Sequence, residues 1–106
     1  MTRSPVPWHV RQAASDLRKK LPPAHPVIVK VGQTSHPLSA ADIGLRGRRF
    51  IITFDSGSMH SEREWLEALA HEWAHALCWA LPSQQDHDAA CGVQYARCYS
   101  IAFGVK

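Results

Sequence analysis

The chain has 106 residues, 45% hydrophobic and 20% charged, a composition that suits one small folded domain over residues 1–106 and argues against disorder. No apolar run reaches membrane-spanning length, so no membrane association is expected. The opening MTRSPVPWHVRQAASD lacks the apolar core of a signal peptide, so a cytoplasmic protein is expected. Net charge is +3, shared unevenly: residues 1–52 hold 9 Lys/Arg against 2 Asp/Glu, and residues 53–106 hold 3 against 7. A basic half can meet nucleic acid or an acidic partner, although a solvated surface is the commoner use of such charges.

In chain order, Ser4-Pro5-Val6-Pro7 reads as a helix start, with proline tolerated in the first turn. Val10, Ala14, Leu17 and Leu21 then recur at helical spacing, Arg18-Lys19-Lys20 suit a helix C-terminus, and Pro22-Pro23 stop the segment. Val27 to Val31 is β-branched and bounded by Pro26 and Gly32, which predicts a strand. Gln33 to Ala41 reads as loop. Ile43 to Phe54 reads as a hairpin turning near Gly47, with Phe50, Ile52 and Phe54 alternating against Ile51 and Thr53. Its second strand, if it lies at a sheet edge, could hold a peptide by strand addition. Arg46, Arg48 and Arg49 mark the turn as charged and solvated.

Ser61 to Leu81 is the most informative stretch. Ser61 with Glu64 forms a capping box, and Leu66, Leu69, Trp73, Ala76, Leu77 and Ala80 make one apolar face. His71 and His75 lie nearly opposite, with Glu64, Ala68 and Cys78. Two imidazoles one turn apart can share a Zn²⁺ at about 2.0 to 2.1 Å, while Glu72 reaches a water without binding the metal. This is the H-E-x-x-H pattern of zinc metallopeptidases.

A catalytic zinc needs three protein ligands and one open position. After a polar turn at 82–86, a last helix is expected from His87 to about Phe103, which makes His87 the natural third ligand. Asp88 is its rival as an oxygen ligand. Cys78 shares the face of the two histidines and would, with His87, fill the site and make it structural. Three cysteines (Cys78, Cys91, Cys98) with no C-x-x-C pair fit free thiols in a reducing compartment. Trp8, Trp65 and Trp79 are expected at the periphery.

HEWAHALC, a short gap and HDAACGVQYARCY resemble the SprT-like and related minimal zincin metallopeptidases of bacteria and phages, over about residues 50–100. The resemblance implies an α+β fold: an N-terminal helix, a small antiparallel or mixed three-stranded sheet, the H-E-x-x-H helix and a C-terminal helix. It implies His71, His75 and His87 as zinc ligands and Glu72 as catalytic base. Asp88 stands where many members have Gly, and Cys91 where an aromatic is usual. The ImmA/IrrE-type metallopeptidases are also similar in layout, but they use a downstream Glu ligand, and no Glu follows Glu72.

The expected activity is hydrolysis of a protein or peptide substrate, with Glu72 moving the proton. Tyr95 leads the candidates for oxyanion stabiliser, ahead of Tyr99, Arg97, His60 and His36. Asp88, Asp55 and Glu64 are candidates to support the imidazoles. The alternative is a zinc-stabilised, non-catalytic module that binds protein or nucleic acid.

Overall fold

The protein is described by a computed structural model over residues 6–34, 40–79 and 89–104. Three strands form its sheet: β1 (Val27–Val31), β2 (Ala41–Arg46) and β3 (Arg49–Phe54). The turn between β2 and β3 is two residues long, and Gly47 takes φ 62°, a left-handed value that glycine adopts without strain. β2 therefore runs antiparallel to β3, with Arg46 opposite Arg49 and Ala41 opposite Phe54. β1 pairs with the other side of β3 in parallel, Val27 opposite Phe50 and Val31 opposite Phe54, which makes a mixed sheet of order β1-β3-β2.

An edge position for residues 50–54 is thereby corrected. The central β3 is the most buried strand: Phe50, Ile52 and Phe54 are buried on the core face, and Thr53 is buried on the other. The edges are β1 and β2.

α1 (Trp8–Lys20) begins later than Ser4, after Pro7, which holds no side-chain cap. Its stripe of Val10, Ala13, Ala14 and Leu17 is buried, and its last turn carries Arg18, Lys19 and Lys20. Arg18 Nε and Nη2 both donate to the Val27 carbonyl, at 3.3 and 3.0 Å, tying the end of α1 to the start of β1.

α2 (Glu62–Leu77) opens as its sequence requires. Ser61 Oγ accepts from the Glu64 N–H at 3.2 Å, and Glu64 Oε1 accepts from the His60 N–H at 2.9 Å, one residue before the cap. The helix touches α1, β2, β3 and α3, so its buried set is broader than one apolar stripe and includes Leu69, Ala70, Glu72, Trp73, Ala74 and Ala76. Trp73 is fully buried at the centre of the core with Phe50, Phe54, Leu17, Ile52 and Leu69. Each such side chain contributes about 1.5 to 3 kcal/mol on burial.

α3 (Ala89–Ala102) lies along α2, the most extensive helix contact in the molecule. Cys91, Tyr95 and Cys98 recur on its inward side, with Cys91 and Cys98 buried. Cys91 is joined to Cys78 in a disulfide, with Cα atoms 5.7 Å apart, which corrects the expectation of three free thiols. The bond follows from packing: the C-cap of α2 and the first turn of α3 meet side by side. Cys98 alone is free, and it is buried.

Trp65 and Trp79 sit at the edge of the core, as expected of peripheral aromatics. Trp65 tilts against Phe54 with centroids 5.2 Å apart, and Trp79 meets Phe50 edge-on at 5.3 Å; Trp8 is 69% exposed. The fold is thus α+β, with three helices and a small mixed sheet among the described residues, and no described helix is long and apolar enough to cross a membrane.

Candidate metal centre

The middle of α2 places His71 and His75 one turn apart on the side that faces α3. Their Nε2 atoms converge to 3.1 Å, with ring centroids 4.7 Å apart and planes at 78°. Two nitrogens bound to one tetrahedral Zn²⁺ at about 2.05 Å sit about 3.3 Å apart, so the pair already has the spacing such an ion needs. The donor chemistry fits as well, since neutral imidazole is a preferred zinc ligand.

Glu72, between them in sequence, is 8% exposed; with Thr53 it makes up the buried polar side chains of the described residues. A carboxylate taken out of water is costly unless its surroundings favour it, and Glu72 is not among the residues that line the cavity below the two imidazoles.

The two rings open on a cavity of about 360 Å³ between α2 and α3, lined by His71, Ala74, His75, Cys91, Gly92 and Tyr95. Gly92 lies at its exposed rim, where a Cβ would meet nothing within 4 Å. Tyr95 stands edge-on to His71 with centroids 6.0 Å apart. Burial raises its phenol pKa, helped by the charge of Glu67 and by Tyr99 and opposed by Arg63, so Tyr95 stays protonated and able to donate.

The other candidates fall elsewhere. Tyr99 accepts from Arg63 Nη2 at 3.3 Å and stacks on Phe103 at 4.3 Å. Arg97 donates to Gln94 Oε1 at 3.1 Å on the exposed side of α3. Asp55 accepts from the Gly57 N–H at 3.1 Å and the Ser58 hydroxyl at 2.9 Å, and Glu64 serves the α2 cap, so both are used away from the imidazoles. His60 is exposed next to that cap. His87 and Asp88, expected as third ligand and its rival, and His36 lie outside the described residues. Among the described residues no group of three or more His, Cys, Asp or Glu is placed to hold a metal.

Cys78 is not a lining residue. Its Sγ lies 3.7 Å from the His75 carbonyl, turned along its own helix, whereas its partner Cys91 faces the cavity. The disulfide to Cys91 occupies the Cys78 sulfur, which sequence reasoning weighed as a further ligand.

Comparison with protein-family models, with curated proteins and with solved structures finds no match to this chain.

Proposed function

We propose that the protein is a zinc-dependent metallopeptidase of minimal zincin type, acting inside the cell on protein or peptide substrates. The observation that carries the reading is the convergence of His71 and His75 to 3.1 Å over a cavity, on the helix that also buries Glu72. His87 is the proposed third ligand. When bound, zinc would supply Lewis acidity, activating a water and polarising the scissile carbonyl.

The remaining steps belong to the chain's own residues. Glu72 takes the proton of the attacking water and hands it to the leaving amine. Tyr95, a protonated phenol at the cavity wall, donates to the oxygen that gains charge in the transition state. β2, an edge strand packed against α2, offers its outer side to an extended peptide, in place of the central β3.

The test is elemental analysis of zinc per chain, paired with cleavage of an unfolded protein such as casein. Wild type should carry one zinc, His87→Ala should lose it, and Glu72→Gln should keep it with cleavage reduced by about 10² to 10⁴. Zinc-free wild type, or a Glu72→Gln variant that cleaves at the wild-type rate, would overturn the reading.

The alternative, a zinc-stabilised non-catalytic module that binds protein or nucleic acid, differs in what it asks of the glutamate. In that module Glu72 is dispensable.

A further inference from the structure

Two segments far apart in the sequence carry positive charge to one end of the molecule. The last turn of α1 bears Arg18, Lys19 and Lys20, all exposed. Arg18 reaches the carbonyl of Val27, and Val27 is paired with Phe50 near the start of β3. Beside Phe50 stands Arg49, with Arg46 directly opposite it on β2 and Arg48 in the turn between them; all three are exposed. β1 and β2 flank β3 and so lie about 10 Å apart, which sets the spacing of the two groups.

None of these cations is in an ion pair among the described residues. The nearest acid in sequence, Asp16, accepts from Gln12 Nε2 at 3.5 Å, back along α1, and Asp42 lies at the far end of β2. Asp55 and the first turn of α2, with Glu62 and Glu64, follow the other end of β3, where Trp65 packs on Phe54. The helix dipole accounts for cations at the end of α1. It does not account for the hairpin. Like charges directly opposite on paired strands destabilise a sheet, and Arg46 opposite Arg49 is such a pair.

We propose that this pole is a binding surface for the phosphate backbone of nucleic acid, held by the β2-β3 turn and the end of α1 together. A polyanion there offsets the repulsion within the hairpin. The forked donors of guanidinium match phosphate oxygens, and Lys and Arg that replace condensed counterions release them to solution. An acidic protein would call for aromatic or aliphatic anchors at the centre of the contact, and an anionic membrane for an apolar face. Near the pole the exposed large apolar side chains are Leu45 and Ile28, 38% and 37% exposed, and neither is aromatic; Trp8 is at the opposite end of α1. The pole shares no residue with the His71/His75 cavity, so the inference stands apart from the metal reading.

The experiment is fluorescence anisotropy of a labelled DNA duplex of arbitrary sequence, titrated with the full chain over a range of NaCl concentrations. Wild type is compared with Arg48→Gln/Arg49→Gln, with Lys19→Gln/Lys20→Gln, and with Arg11→Gln/Arg97→Gln, which loses the same charge at exposed positions outside the pole. Circular dichroism checks that each is folded, and the two pole variants lie on different elements, so misfolding of one leaves the other to decide.

Wild-type affinity should fall as salt rises. The slope of log K against log [salt] should flatten by about 1.8 in each pole variant, at about 0.9 per lost phosphate contact, and stay unchanged in Arg11→Gln/Arg97→Gln. An equal loss in all three variants would show net charge at work and overturn the pole. So would wild type that fails to bind at low salt, or unaltered slopes in both pole variants. Tighter binding to polyglutamate, or to phosphatidylserine vesicles, than to the duplex would assign the surface to an acidic protein or a lipid and overturn the nucleic-acid reading.

Discussion

Trp73 Nε1 donates to the Leu21 carbonyl at 2.9 Å, a bond that joins the middle of α2 to the end of α1 across 52 residues of sequence. It stands behind His71 and His75, at the centre of the core, and fixes the helix that presents them. Trp73→Phe should cost about 1 to 3 kcal/mol, because the Leu21 carbonyl is left buried and unpaired. Trp73→Ala should cost more, about 3 to 5 kcal/mol, by opening a cavity. Urea unfolding checks both, and a Trp73→Phe midpoint equal to wild type would show that the bond contributes nothing.

The start of α2 rests on a hydroxyl. Ser61→Ala should destabilise the protein by about 1 kcal/mol, while Ser61→Gly should cost only a few tenths. The contrast matters more than either value: a pure helix-propensity effect would make glycine the worse residue, whereas a cap makes alanine worse.

Cutting the Cys78–Cys91 link frees a loop with a sequence separation of 13, worth about 2 to 4 kcal/mol in the unfolded chain. Reduced wild type should unfold at correspondingly lower denaturant, and Cys78→Ala should match it within the cost of one small buried side chain. No change on reduction would mean that the unfolded chain gains no freedom.

Burial pushes the Cys98 thiol up to about 12, against a slight opposing pull from Arg97. The folded pKa lies above the unfolded one, so the contribution to stability is whole below about pH 9. It is lost as pH rises toward 12, by up to about 1.4 kcal/mol per pH unit. Cys98→Ala should flatten that slope in denaturation curves taken between pH 9 and 11. At neutral pH the wild-type thiol should resist alkylation until the chain is unfolded.

Tyr95→Phe separates a catalytic phenol from a packing ring. If Tyr95 donates to the developing oxyanion, kcat should fall about 10² to 10³ with zinc retained and KM little changed. The alkaline limb of the pH profile should not report Tyr95, because its raised pKa keeps the phenol protonated. An unaltered kcat would return Tyr95 to the role of cavity wall.

Local signals in the sequence carried a long way. The Ser61/Glu64 box, the hairpin at Gly47 and the strand at Val27–Val31 each depend on neighbours within a few residues, and each stands in the structure close to its expected bounds. What was hidden is long-range. The hairpin reading of 43–54 contained nothing about β1 pairing along the far edge of β3, a contact between segments more than twenty residues apart in sequence. The disulfide was equally out of reach, since it depends on where the C-cap of α2 meets the first turn of α3. At the site, the convergence of His71 and His75 was legible because four residues make about one helical turn; that Cys91, Gly92 and Tyr95 complete the cavity wall required the second helix.

The parallel pairing of β1 with β3 also bears on how the chain finds its shape. β2 and β3 need only a two-residue turn to meet, whereas β1 must wait while the whole hairpin folds back beside it, with Val27 brought to Phe50. Closing a loop costs entropy that grows slowly with length, and its reward comes only after closure. The hairpin should therefore form early and β1 dock late, bringing with it α1, which Arg18 clamps to the Val27 carbonyl. Mutations in β2 and β3 should slow folding, and those that loosen the Arg18 clamp should chiefly speed unfolding.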